Sequence, residues 1–119
     1  MTVTESTRNA LRTHIQNTYT KMDIGEGGGS TDMSNDTLDV SITGALGLSK
    51  ISVTPTSSND NQVEYTCSIN GATYTGYVIR EVGIFNTAGN LMLTRIPIEP
   101  IGPMLSNKTY DITVIIEVE

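Results

Sequence analysis

The sequence predicts a mainly β protein, an antiparallel β-sandwich of about six to seven strands with one N-terminal helix. Three observations support this fold class. Threonine, serine and asparagine are abundant, and these residues favour strands and turns. From residue 38 onward, apolar and polar residues alternate in short runs separated by turn signals. A single helical stripe of apolar residues lies near the N-terminus.

The totals favour one domain, residues 1–119, with a core of its own. Thirteen acidic residues against seven basic ones give a net charge of −6, whereas a nucleic-acid binder needs a basic face. The same charge disfavours anionic membranes, and no apolar run approaches the ~20 residues of a membrane span. The single cysteine, Cys67, and the lack of a signal-peptide pattern after Met1 indicate synthesis in the cytoplasm.

The first element is a helix predicted over residues 4–20. Its apolar stripe recurs at i, i+4, i+8 and i+11 and consists of Leu11, Ile15, Tyr19 and Met22. A helix with one stripe must lie on another surface, either the sheet or a neighbouring subunit.

A glycine-rich loop is predicted over residues 23–37, because this segment combines glycines with turn-forming polar residues. "GEGGGS" lacks the Lys-Ser/Thr ending of a phosphate-binding loop. The oxygen-bearing residues nearby fit no EF-hand spacing and are common in turns, so no metal site is predicted, although calcium is a minor alternative. These residues are Asp32, Asn35, Asp36 and Asp39.

The β-sandwich is predicted over residues 38–119. Short strand patterns occupy residues 38–42 and 49–54, and residues 62–69 alternate as a half-buried strand. A hairpin follows over residues 77–98, and Pro97, Pro100 and Pro103 are expected to interrupt regular structure after it. The cleanest alternation, over residues 109–119, predicts a last strand at the C-terminus.

No catalytic residue and no cofactor is predicted, so the chain is not expected to be an enzyme. A serine or cysteine hydrolase needs a base beside its nucleophile. The only histidine, His14, lies on the predicted helix, and Cys67 points with the apolar residues of its strand as a buried, inert thiol. Zinc sites need several clustered Cys or His ligands.

The hairpin "YVIREVGIFNTAGNLMLTRIPI" places two charges, Arg80 and Glu81, in an apolar strand. Thr87-Ala88-Gly89 fits a three-residue loop with Gly89 in the left-handed region. Counting back from it sets Gly83 opposite Leu93 and Glu81 opposite Arg95, which predicts a structural ion pair that fixes the register.

The opposite side of this hairpin is also apolar. Because a sandwich buries one face of each sheet, we expect the second apolar face to contact the helix or another subunit. The candidate subunit interface consists of Val82, Ile84, Met92 and Ile96. The expected partners are copies of the same chain in a symmetric ring or trimer.

"REVGIFNTAGNLMLTR" resembles the hairpin of tailed-virus tail proteins, most of all the N-terminal domains of phage tail-collar fibre proteins and related short tail or baseplate proteins. The order of a helix, a "DIGEG" loop, this hairpin and a terminal strand is similar too. The structural motif comprises Arg80, Glu81, Gly83, Phe85, Gly89 and Arg95; the resemblance transfers Glu81, Gly83, Phe85 and Gly89 in structural roles and implies no catalytic residue.

The resemblance implies a virion structural protein of a bacterial or archaeal tailed virus. It would be a tail, baseplate or fibre-anchoring component that docks onto other virion proteins and self-associates. Fibre proteins continue after this domain, whereas this sequence stops at Glu119, so an isolated attachment domain is expected. The alternatives are a head-decoration or turret protein, and a carbohydrate-binding β-sandwich, which the scarcity of aromatic residues disfavours.

Overall fold

Two antiparallel sheets and an N-terminal helix make up the computed structural model, which describes residues 4–27, 38, 40–57, 59 and 61–118. The predicted fold class, a mainly β sandwich with one N-terminal helix, is confirmed. The elements are α1 (Glu5–Thr18), β1 (Lys21–Gly25), α2 (Ile42–Ala45), β2 (Ile51–Ser52), β3 (Gln62–Asn70), β4 (Ile79–Phe85), β5 (Met92–Ile101) and β6 (Thr109–Glu117). Among the described residues, no helix is long and apolar enough to cross a bilayer.

Helix α1 begins after Thr4, whose side-chain oxygen accepts a hydrogen bond from the Thr7 amide at 3.3 Å. The helix lies against β3: the Tyr65 hydroxyl donates to the Ile15 carbonyl at 3.4 Å, and Gln16 donates to the Pro55 carbonyl at 3.1 Å. Its apolar stripe is shorter than predicted, because Leu11 is 45% exposed and Met22 belongs to β1.

The larger sheet has the strand order β2-β1-β4-β5. The side of this sheet that carries Met22, Ile24, Val82 and Ile84 faces β3 and β6, and these four side chains are fully buried. The smaller sheet pairs β3 with β6 and contributes Val63, Tyr65, Cys67 and Ile69 to the same core. The alternation predicted for both of these strands is confirmed.

Strand β1 corrects the predicted loop of residues 23–37. Asp23, Ile24 and Gly25 are paired with β4 in the interior of the larger sheet. The segment was misjudged because aspartate and glycine are depleted in strands. Here Asp23 and Gly25 both lie on a buried side of the sheet. The Asp23 carboxylate is hydrogen-bonded there, and Gly25 leaves space because it has no side chain. Residues 28–37 and the calcium alternative, which involves Asp32, Asn35, Asp36 and Asp39, lie outside the described residues.

The strand predicted over residues 38–42 is also wrong. Among its described residues, only Ser41 makes a β-bridge, with Gly25, and Ile42 starts the short helix α2. Ser41 caps that helix by accepting a hydrogen bond from the Gly44 amide at 3.0 Å. The predicted interruption at Pro97 and Pro100 is wrong as well, since β5 runs through both. Proline is tolerated there because β5 lies at the edge of the sheet.

The hairpin turn is confirmed in part: Gly89 has a φ of +78°. Asn86 extends the loop, because its side-chain oxygen accepts hydrogen bonds from the amides of Asn90 and Leu91 at 3.0 and 3.1 Å. A register shift follows at Leu93, between the pairs Phe85–Met92 and Ile84–Thr94.

The longer loop at Asn86 and the register shift at Leu93 together displace the pairing of β4 with β5 by two residues from the predicted register. Glu81 lies opposite Pro97, and Arg95 lies opposite Gly83. The predicted placement of Glu81 directly opposite Arg95 is therefore wrong, and their ion pair stays a prediction. A displacement of two residues preserves the face, so the two charged residues remain diagonal neighbours on one side of the sheet.

Candidate functional site

The side of the larger sheet that faces away from β3 and β6 carries most of the predicted motif. We call it the outer face and define it by Asp23, Gly25, Glu81, Gly83 and Phe85. All five residues are buried, although they lie outside the sandwich core. The segment formed by residues 38 and 40–45 covers this face, so the second apolar side of the hairpin is closed by the same chain rather than by α1.

Glu81 is fully buried, and Gly25 makes room for it. Gly25 is its cross-strand neighbour on β1. A β-carbon at position 25 would lie 2.7 Å from Glu81 Oε1 and 2.9 Å from the Val40 carbonyl oxygen. The carboxylate therefore occupies the space that the glycine leaves open, and the sequence signal was the glycine of "DIGEG".

Asp23 is the second buried carboxylate on the outer face, with 1% of its surface exposed. It accepts hydrogen bonds from the Ser41 hydroxyl at 2.7 Å, from the Thr43 hydroxyl, and from the Ile24 amide at 2.9 Å. Ser41 and Thr43 flank the start of α2. These bonds fasten α2 to β1, and sequence reasoning missed this cluster because Asp23 was assigned to a loop.

Gly83 and the ring of Phe85 are in close contact next to Glu81. A β-carbon at position 83 would lie 2.7 Å from Phe85 Cε1 and 3.0 Å from Leu38 Cδ2. The ring edge thus lies over the glycine, and Leu38, 4% exposed, closes the gap. These contacts support a packing role for both motif residues.

The remaining motif residues are spread over the surface. Arg80 is exposed, Arg95 is half-buried on the same side of the sheet as Glu81, and Gly89 lies in the hairpin turn. The structure therefore brings Glu81, Gly83 and Phe85 together, places Arg95 beside them, and separates Arg80 and Gly89 from them.

The predicted subunit interface needs correction. Val82 and Ile84 are fully buried in the core of a single chain, so neither is accessible to another subunit. Met92 and Ile96 are half-buried on the edge strand β5, and Ile96 packs against the core. Strand β4 is covered on both sides within the chain, whereas β5 is half-buried or exposed, so the ring or trimer stays a prediction.

A groove of about 290 Å³ lies beside the hairpin turn. It is lined by Lys21, Lys50, Leu48, Ser49 and residues 87–89, and none of these described lining residues is acidic. Lys21 donates to the Ser52 hydroxyl at 2.7 Å, and the Lys50 ammonium lies 4.7 Å from the centre of the Phe85 ring. The two lysines make this groove locally positive in a chain of net charge −6.

The environments of His14 and Cys67 do not favour nucleophilic catalysis. His14 is exposed on α1, and its ring contacts the Thr18 hydroxyl at 3.4 Å. Cys67 is buried, and desolvation together with the charge of Asp111 raises its pKa to about 11, so the thiol stays protonated and unreactive at neutral pH. Within the described ranges, no group of three or more His, Cys, Asp or Glu residues is placed to hold a metal ion.

The described part of the chain thus defines a two-sheet antiparallel β-sandwich with a covered outer face built on two buried carboxylates. Comparisons with protein-family models, with curated proteins and with solved structures found no match.

Proposed function

We propose that this chain is a structural protein in the particle of a bacterial or archaeal tailed virus, acting as a tail, baseplate or fibre-anchoring component. The observation that carries the proposal is the hairpin motif. Its sequence resembles that of tail-collar fibre domains, and its residues Glu81, Gly83 and Phe85 have packing roles on the outer face.

The way the hairpin is held favours docking over chemistry. Thr87, in the turn, donates its amide to the Thr18 carbonyl at 3.0 Å, and its hydroxyl lies 2.8 Å from that of Thr20. The hairpin is therefore fixed at its tip to the end of α1, and its strand β4 contacts Leu38. A module held in this way presents a preformed surface, which lowers the entropic cost of binding a partner.

A carbohydrate-binding role has less support. Such sites stack sugars on exposed aromatic side chains beside polar groups, and all six aromatic residues of the chain lie in the described ranges. Phe85, Tyr65 and Tyr74 are buried, and Tyr19, Tyr77 and Tyr110 are half-buried. A head-decoration or turret role would use the same scaffold and differs from a tail role only in the position of the protein in the particle.

Purified virus particles from the host that produces this chain provide the test. Mass spectrometry of particles banded in a density gradient should detect the chain at a constant ratio to the other virion proteins. After mild disruption, we expect it in the tail fraction, and a deletion should yield particles with incomplete tails. Recovery with heads would assign the alternative position, and a chain missing from washed particles would refute the proposal.

A further inference from the structure

Strand β6 offers a sheet edge that is built for pairing. Among the described residues, β6 is hydrogen-bonded to β3 alone, so its other edge carries no strand. It is nine residues long, Thr109–Glu117, and pairs with β3 without a register shift. A long and regular edge of this kind is a template for another strand.

The other sheet edges in the described structure are short, interrupted or partly bridged. Strand β5 contains Pro97 and Pro100 and has register shifts, and β2 has only two residues. The free side of β3 is bridged by Thr56, which exchanges both backbone hydrogen bonds with Glu64. Strand β6 contains no proline, lysine or register shift, and its charges are Asp111 and Glu117, which both accept hydrogen bonds within the chain.

The backbone pattern shows which groups of β6 point to this edge. The Val118 amide donates to the Asn61 carbonyl at 2.7 Å, and the Lys108 carbonyl accepts from the Gly71 amide at 2.9 Å. Between these two bonds the register is continuous, so every second residue of β6, from Tyr110 to Ile116, directs its backbone N–H and C=O groups to β3. The N–H and C=O groups that point outward therefore belong to Thr109, Asp111, Thr113, Ile115 and Glu117.

We propose that the β6 edge binds the β6 edge of a second copy of this chain, antiparallel about a two-fold axis at Thr113. In this register Thr113 faces Thr113 of the second copy, Asp111 faces Ile115, and Thr109 faces Glu117. All five outward residues then find a partner. A shift of two residues in one direction would oppose Asp111 to Glu117, and a shift in the other would leave Glu117 without a partner.

The side chains fit this pairing on both sides of the strand. On the core side, Tyr110 would meet Ile116, and Ile112 would meet Val114, so the apolar row continues across the axis without a charge. Tyr110 and Ile116 are half-buried in the single chain and would gain cover. On the exposed side, Asp111 already accepts a hydrogen bond from Ser68 at 2.6 Å, and Glu117 accepts one from Asn61 at 3.4 Å. The acids are thus engaged within each chain.

Sedimentation velocity over a dilution series tests the pairing. The unmodified chain should dimerise reversibly. Thr113→Lys and Thr113→Glu each place like charges opposite each other at the axis, and each should weaken the dimer about fivefold or more. A mixture of the two variants places opposite charges there and should dimerise more tightly than either variant alone.

Thr66→Lys is the matched control. Thr66 is the neighbour of Thr113 on β3, on the same exposed side, with the two hydroxyl oxygens 3.1 Å apart, but one strand away from the edge. This variant should dimerise like the unmodified chain, and circular dichroism should show that all variants are folded. A chain that stays monomeric throughout, or a mixture that fails to restore the dimer, would overturn the proposal. These outcomes leave the proposed location in a virus particle unaffected, since that is tested on particles.

Discussion

At the scale of single residues, glycine positions decide whether the hairpin and its neighbours can form. Gly89 has a φ of +78°, in the left-handed region that side chains with a β-carbon seldom adopt. We expect Gly89→Val to lower the free energy of unfolding by roughly 1–2 kcal/mol, measured in urea. Gly89→Asn is the control, because asparagine tolerates this conformation, and it should cost clearly less. Equal losses would show that backbone strain is not the cause.

Gly83 is required for a different reason, the contact with the Phe85 ring. Its φ is not positive, so Gly83→Ala tests packing alone. We expect it to cost roughly 1–3 kcal/mol, since the new methyl group would lie 2.7 Å from Phe85 Cε1. Combining it with Phe85→Leu should cost less than the sum of the single variants, because the shorter side chain withdraws the clashing atom. Strict additivity would contradict this contact.

At the scale of elements, the hydrogen bonds of Asp23 hold α2 on the sheet. Thr43 is 1% exposed, and Thr43→Val keeps its shape while removing the hydroxyl that donates to Asp23. A hydrogen bond to a charged acceptor contributes roughly 1.5–3 kcal/mol, and we expect a loss of that size in urea unfolding.

Thr66→Val is the control for this prediction. The Thr66 hydroxyl is exposed and lies 3.1 Å from the Thr113 hydroxyl, so its removal should change stability by less than about 0.5 kcal/mol. Hydrogen exchange should also show faster opening of residues 40–46 in Thr43→Val alone. Unchanged exchange there would mean that Asp23 does not fasten this segment.

At the scale of the whole molecule, the buried thiol of Cys67 and the buried phenol of Tyr65 make the stability of the fold sensitive to alkaline pH. Burial raises the pKa of Cys67 from 9.0 to about 11 and that of Tyr65 from 10.0 to about 12. Above pH 9 the unfolded chain releases the thiol proton while the folded chain retains it. Unfolding is then favoured increasingly as pH rises, so stability falls between about pH 9 and pH 11 and, for Tyr65, up to about pH 12.

Cys67→Ala should remove the first part of this loss. The variant should be less stable than the unmodified chain at pH 8, because a buried side chain is shortened, but its stability should decline less between about pH 8 and pH 11. Melting temperatures across this range measure the difference in slope. Parallel curves for the two chains would show that the Cys67 thiol is not the titrating group.

The positions of the strands that expose one side to solvent could be predicted from the sequence, whereas the residues that form the outer face could not. For β3 and β6, alternation alone located both strands, because each buries one side and exposes the other. Strand β1 has no such contrast: Met22, Asp23, Ile24 and Gly25 are all buried. A strand buried on both sides loses its alternation, and the polar residue and the glycine then resembled a turn. The short strand β2 and the helix α2 depend on contacts with β1, which lies far from them in the sequence.

The fold class, the N-terminal helix, the strands β3 and β6, and the hairpin with Gly89 in its turn could be predicted from the sequence. Each of these depends on residue spacing and turn chemistry within a short segment. The register of the hairpin and the neighbours of its charges depend on tertiary contacts. Asn86 and the shift at Leu93 displaced the register by two residues, and Gly25, far away in the chain, made the space for Glu81. Contacts between distant segments leave no periodic pattern in a sequence, and packing in three dimensions sets them.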